Sequence, residues 1–146
     1  MKKLFTVVAA AVICLSANTG VVAQPENTNF VHVTRIKTLW PEGGSAKERD
    51  SLVAIYTENV IKKNANILSH REYQHFFTSD SKDYMIIEEY KNFAAWEASN
   101  KMTEELEKAA FPDEKKRKEY FAAMDKYFEK WHGDALFTTN PKLNKN

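Results

Sequence analysis

Four histidines and one glutamate hold most of the chemistry this chain can offer. The histidines are His32, His70, His75 and His132. A metal site needs two to four such ligands converging on one point. His70 and His75 have opposite parity in one extended run, so they point to opposite faces unless a bulge intervenes. His32 and Glu88 are the residues that would have to join either of them, and no metal site is expected. Acid–base chemistry needs a titratable group held in a dry pocket. Glu88 belongs to a segment that reads as a central strand, with His32 or His75 as its candidate partner. The competing structural reading pairs Glu88 or Glu89 with Arg35, Lys37 or Arg71 across strands.

Aromatic side chains add a second possibility. Tyr56, Trp96, Tyr120, Tyr127 and Trp131 either line a pocket for an aromatic ligand or fill a core. Asn100 lies one turn after Trp96 and has the polarity to orient a ligand. The expected substrate-binding set is therefore His32, Tyr56, His75, Glu88, Trp96 and Asn100, with no catalytic residue singled out. The run Lys115-Lys116-Arg117-Lys118 is flanked by Asp113, Glu114 and Glu119, which reads as a solvated helix face. The sequence contains no phosphate-binding glycine loop, no serine-nucleophile elbow and no HExxH.

Positioning these residues requires a small set of elements. Phe30–Trp40 alternates Val31 and Val33 with His32 and Thr34, with Ile36 and Trp40 on the second parity, a strand pattern. Pro41-Glu42-Gly43-Gly44 ends it. Ser45 and Glu48 have capping-box spacing, and Leu52, Ile55, Tyr56 and Val60 recur at helical intervals, predicting a helix over Lys47–Lys63. Asn64 is a candidate for the left-handed position after it. Ile67–Thr78 and Asp83–Lys91 read as strands around a polar turn. Asn92 caps a helix that opens Phe93-Ala94-Ala95-Trp96. Pro112 interrupts it. Asp113 caps a further helix over Glu114–Trp131, with Tyr120, Met124, Tyr127 and Trp131 on one stripe. His132-Gly133 is expected to stop that helix, and Ala135–Thr139 to form the last strand.

The order is βαββαβ. Right-handed crossovers place both helices on one face of a four-stranded antiparallel sheet, an α+β, ferredoxin-like arrangement. Ile36, Trp40, Phe76 or Phe77, and Ile86 or Ile87 cannot all lie beneath the helices. Apolar residues on an open sheet face call for a partner. Burying about 800 Å² per subunit at about 25 cal/mol per Å² is a large gross driving force, although association entropy offsets much of it. A sheet-to-sheet homodimer is expected.

Residues 1–23 read as a secretory signal: Lys2 and Lys3, then the short apolar run Leu4–Leu15, then Val21 and Ala23 before Gln24. Cleavage after Ala23 would leave no membrane span and place the protein in the periplasm or outside the cell. Cys14 is the sole cysteine. Ile13 before it argues against lipidation, and its removal would exclude thiol and disulfide chemistry from the mature chain. Taking 23 residues from 146 leaves 123, with 19 basic against 20 acidic side chains. That is one domain, 30–140, between a disordered leader, 24–29, and a disordered tail, 141–146. The near-neutral charge argues against nucleic acid as a partner.

The run EEYKNFAAWEASNKM, residues 88–102, resembles antibiotic-biosynthesis-monooxygenase-like domains of the dimeric α/β barrel superfamily. Tyr90 at a strand end, then Phe93 and Trp96 opening a helix, carry the resemblance. It implies a dimeric α/β barrel with a pocket between sheet and helices for a small hydrophobic or aromatic ligand. It also implies cofactor-independent oxygenation as an activity, with no cofactor expected. A non-enzymatic binding or structural homodimer of the cell envelope is the alternative. The haem-degrading branch of the superfamily uses a Trp in this helix and a His about ten residues on. Trp96 matches the first, but Leu106 stands at the second, which speaks against haem ligation.

Overall fold

The computed structural model describes residues 28–143. The expected signal segment and most of the expected leader lie outside the described residues, as do the last three positions of the tail. Pro141–Leu143 forms a single 3₁₀ turn.

Strand β1 (Phe30–Thr38) leads to helix α1 (Ala46–Asn59), and a 3₁₀ turn (Ile61–Lys63) leads to β2 (Ile67–Gln74). Strand β3 (Asp83–Tyr90), helices α2 (Phe93–Ala110) and α3 (Glu114–Met124), and β4 (Phe128–Thr138) follow. The strands form one antiparallel sheet in the order β2-β3-β1-β4. This is the ferredoxin-like fold.

The three expected helix starts are built as their chemistry requires. The Ser45 hydroxyl accepts from the Glu48 amide, the Asn92 carbonyl from Ala95, and the Asp113 carboxylate from Lys116. Each side chain satisfies one of the donors that a helix start leaves without a partner. Asn64 is not left-handed: its φ is −80°. Its buried amide instead donates to the Ser99 carbonyl, the Ser99 hydroxyl and the Thr103 hydroxyl, tying the turn after α1 to α2. The buried core includes Phe30, Val60, Tyr84, Tyr90 and Tyr127.

Two expectations are corrected. The helix predicted over Glu114–Trp131 ends at Met124, and residues 128–138 are strand. The apolar i, i+4 spacing ran on into Trp131, but β4 supplies β1 with its second neighbour, from Phe30 opposite Thr138 to Thr38 opposite Phe128. Leaving β1 unpaired on that side would expose its ladder of amides and carbonyls. His132-Gly133, read as a helix stop, is therefore mid-strand, and Trp131 is 89% exposed. The second correction concerns the β2–β3 hairpin. Strand β2 stops at Gln74, and Phe76 and Phe77 stand almost wholly in solvent at the turn.

These changes redefine the open sheet face. Ile36 and Ile86 line a cavity with residues of all three helices, so they are covered. Trp40 lies beyond the strand end, with the Arg49 guanidinium 5.2 Å above its ring. The parity that points away from the helices holds Val31, Val33, Met85, Ile87, Ala135 and Phe137. Arg35, Lys37, Arg71 and Glu89 rim the same face. It is apolar at its centre, as expected, but only Ile87 was among the residues assigned to it.

Candidate functional site

The sheet register brings the chemistry together. His32 on β1 lies opposite Glu88 on β3, and Glu88 lies opposite His70 on β2. All three point toward the helices. One residue pair along, Thr34, Ile86 and Glu72 form the next row, with Asp134 of β4 beside Thr34.

The side chains connect. His70 donates from Nδ1 to Glu88 Oε1 and from Nε2 to Glu72 Oε1, both at 2.9 Å. The Tyr90 hydroxyl donates to Glu88 Oε2 at 2.6 Å, and the Tyr84 hydroxyl donates to Glu72 Oε2. His32 Nδ1 faces Glu88 Oε2 at 3.8 Å, and its Nε2 meets Asp134 Oδ1 at 3.0 Å. The side chains of His70 and Glu88 are 13% and 16% exposed, so these charges are weakly screened.

The titration behaviour follows from this arrangement. Burial alone would lower the His70 pKa, yet the hydrogen bonds to Glu72 and Glu88 outweigh it and raise the value to about 9. Burial would raise the Glu88 pKa, but the nearby His32 and the hydrogen bonds from His70 and Tyr90 bring it down to about 2. Glu72 is likewise lowered, against the burial effect, by His70 and Tyr84. His32 is raised above its usual value, chiefly by its contact with Glu88, then opposed by burial and supported by Asp134. Tyr84 and Tyr90 are raised by burial and by the carboxylates they serve, so both stay protonated donors. At neutral pH the centre is an imidazolium held between two carboxylates, with a phenol on the far side of each.

This centre is part of the wall of a cavity of about 580 Å³ between sheet and helices. Ile36, Val53, Ile61, Ile67, Ile86, Met124 and Phe128 supply apolar wall, and Tyr56, Ser99, Asn100 and Thr103 add polar groups from α1 and α2. A second recess on the α1–β2 side shares Val53, His70, Glu72 and Tyr84 with it. Among the described residues, no group of three or more His, Cys, Asp or Glu is arranged to hold a metal ion.

Of the residues expected in the site, Glu88, Tyr56 and Asn100 line the cavity. His32 reaches it through Glu88. Trp96 packs its ring 5.2 Å from Phe93 and 6.0 Å from both Phe30 and His32, buttressing His32 rather than lining the cavity. His75 does not belong to the group: it bonds to Thr78 Oγ1 in the hairpin and borders a separate recess with Arg35 and Tyr73. Strand β2 ends one residue before His75, so strand parity no longer governs where it points. Glu88 pairs with histidines and not with Arg35, Lys37 or Arg71, which the opposite parity places on the open face. The aromatic stripe divides. Tyr56 reaches the cavity, Tyr120 stacks on Phe111 at 4.4 Å, Tyr127 is buried core, and Trp131 is exposed.

Sequence reasoning missed His70 as Glu88's partner, along with Glu72, Tyr84, Tyr90 and Asp134. Shared parity was the available signal: His70 and Glu72 alternate on one strand, and Tyr84, Glu88 and Tyr90 on the next. Asp134 was hidden by the helix boundary read after Trp131.

Comparison with solved structures finds similar chains. SnoaB, a cofactor-independent oxygenase from Streptomyces nogalater, is 13% identical, with a TM-score of 0.49 over 80% of this chain and 98% of that one. A protein provisionally named an antibiotic biosynthesis monooxygenase, from Caulobacter crescentus, is 13% identical, with a TM-score of 0.48 over 75% and 89%. A dimeric protein of ferredoxin-like fold and unknown function, from Bacteroides fragilis, is 8% identical, with a TM-score of 0.45 over 76% and 96%. At these identities the likeness is one of fold alone. No protein-family model matches the chain, and no curated protein sequence does. Among the described residues, no helix is long and apolar enough to cross a membrane.

Proposed function

We propose that this protein binds a small hydrophobic, aromatic ligand in the cavity between sheet and helices. Glu88 accepts a hydrogen bond from a hydroxyl or amine on that ligand, while Tyr56 and Asn100 contact it from the helix side. The observation that supports this reading is the Glu72–His70–Glu88 centre set in one cavity wall with seven apolar side chains, Ile36, Val53, Ile61, Ile67, Ile86, Met124 and Phe128. A concave apolar site with a few convergent polar groups is the usual form of a small-molecule site.

In its enzymatic form, the reading is a cofactor-independent, monooxygenase-like reaction. A hydroxylated aromatic substrate gives up its hydroxyl hydrogen and one ring hydrogen and supplies all four electrons that O₂ accepts, becoming a quinone. One oxygen atom enters the ring system and the other leaves as water. The cavity contributes by orienting the substrate and excluding solvent. A second reading, a binding protein without turnover, is favoured by a specific observation. Glu88 at about 2 and His70 at about 9 both titrate far from neutrality, where a general base or acid is least effective.

Native mass spectrometry of the purified protein is the first test. One aromatic molecule per chain is expected, retained or taken up, and Glu88→Gln is expected to weaken its binding tenfold or more. Equal binding by the variant would remove Glu88 from the site. Oxygen consumption on adding the ligand then separates enzyme from binder.

Two further proposals accompany this one. The apolar centre of the open sheet face supports a homodimer formed sheet to sheet, giving a dimeric α/β barrel; light scattering that reports a monomer at micromolar concentration would end it. The N-terminal sequence supports export to the periplasm or beyond, for which a mature chain starting at Gln24 is the expected product.

A further inference from the structure

Acids and imidazoles alternate across the whole sheet on its helix-facing side. From the β4 edge inward the order is His132, Asp134, His32, Glu88, His70, Glu72. The links are 3.2 Å from His132 Nε2 to Asp134 Oδ2, 3.0 Å from Asp134 Oδ1 to His32 Nε2, 3.8 Å from His32 Nδ1 to Glu88 Oε2, and then 2.9 Å twice. One end is open to water, with the His132 and Asp134 side chains 46% and 43% exposed. The other lies in the cavity wall, which His132 also lines. The single step longer than a hydrogen bond lies between His32 and Glu88.

We propose that His32 is a positioning residue that acts through Glu88: ligand binding at Glu88 expels the His32 proton to bulk water. This rests on the ligand reading of Glu88 given above. When His32 is protonated, Glu88 serves two cations and the Tyr90 hydroxyl. When His32 is neutral, the Glu88 Oε2 atom has one competitor fewer and accepts more readily from a ligand hydroxyl. Binding and proton loss are then linked, and affinity rises with pH through the His32 midpoint.

The surroundings of His32 make it the responsive member. From β3 it meets Glu88, from β4 Asp134, from its own strand Thr34 Oγ1 at 3.5 Å, and from α2 the edge of the Trp96 ring at 6.0 Å. Asp134 in turn accepts from Thr34 at 2.9 Å. His70, behind Glu88, keeps its proton until about pH 9, so it does not titrate alongside His32. The contacts with Glu88 and Asp134 move the His32 midpoint upward from 6.5.

The probe is 2-naphthol, an aromatic with one hydroxyl that stays un-ionised from pH 5.5 to 8. Its affinity for the full chain is measured across that range, and the His32 midpoint is read separately from imidazole NMR shifts. Affinity is expected to rise at least threefold, with its inflection at the His32 midpoint. Asp134→Asn, at an exposed position, removes an anion beside His32 and is expected to move both the inflection and the NMR midpoint to lower pH together. His32→Gln is expected to flatten the profile. A profile that stays flat while His32 titrates overturns the inference and leaves the ligand site standing, as does an inflection that Asp134→Asn leaves in place while the NMR midpoint moves. Failure of 2-naphthol and its amino analogue to bind at any pH overturns the ligand site itself, and the inference with it.

Discussion

Removing the charge of His70 is the perturbation that most directly probes the centre. Among the described residues, His70 is the one group that bonds both Glu72 and Glu88. Its pKa rises from 6.5 to about 9 on folding. At about 1.4 kcal/mol for each tenfold in proton affinity, that change corresponds to about 3 kcal/mol of stability. The sign follows from the raised value: the contribution is complete below pH 6.5 and is lost as pH climbs through 9. The fall of Glu88 to about 2 works in the other direction. Its contribution is complete above pH 4.5 and disappears as pH drops through 2. The two figures share the same His70–Glu88 contact and do not add. Urea unfolding followed by tryptophan fluorescence is therefore expected to show a plateau between pH 4.5 and 6.5, then a decline of about 3 kcal/mol by pH 10. In His70→Gln the alkaline decline should shrink to the part that His32 contributes. The variant should also be about 3 kcal/mol less stable at pH 6, because Glu72 and Glu88 are left buried without their cation. A wild-type protein equally stable at pH 6.5 and pH 10 would refute the reasoning, since no stabilised imidazolium could then be present.

Three other outcomes test the scaffold. Asn64→Ala removes the three bonds to Ser99 and Thr103 and leaves buried groups unpartnered, so a loss of about 2 kcal/mol is expected in the same urea assay. Asn92→Ala deletes the cap on α2 and should lower stability by about 1 kcal/mol, with Asn92→Asp recovering most of it. Ile87→Lys puts a charge in the apolar centre of the open sheet face; light scattering should report monomers, with the circular-dichroism spectrum unchanged.

The parts of the fold that were legible in the sequence are those whose causes are local. Ser45, Asn92 and Asp113 announce helix starts because one side-chain oxygen and a nearby amide suffice. Val31 and Val33 alternating with His32 and Thr34 announce a strand because successive side chains must leave a pleated backbone on opposite sides. The segment 128–138 was not legible, since Tyr127 and Trp131 fit a helical stripe as well as a strand and its choice depends on β1, about a hundred residues earlier. His75 was misplaced for the same kind of reason, because the strand's end is set by hairpin closure through Thr78 and Asp80.

By itself the sequence determined the order of elements, the caps, an apolar sheet with two sides to cover, and Glu88 as the carboxylate on a central strand. Only the tertiary structure decided that His70 and not His75 would neutralise Glu88, and that Asp134 would stand behind His32. Parity states which side of a strand a residue occupies, but register states which residue it meets. Register is set by pairing among all four strands at once, a sum of many weak contacts that no single stretch of sequence contains.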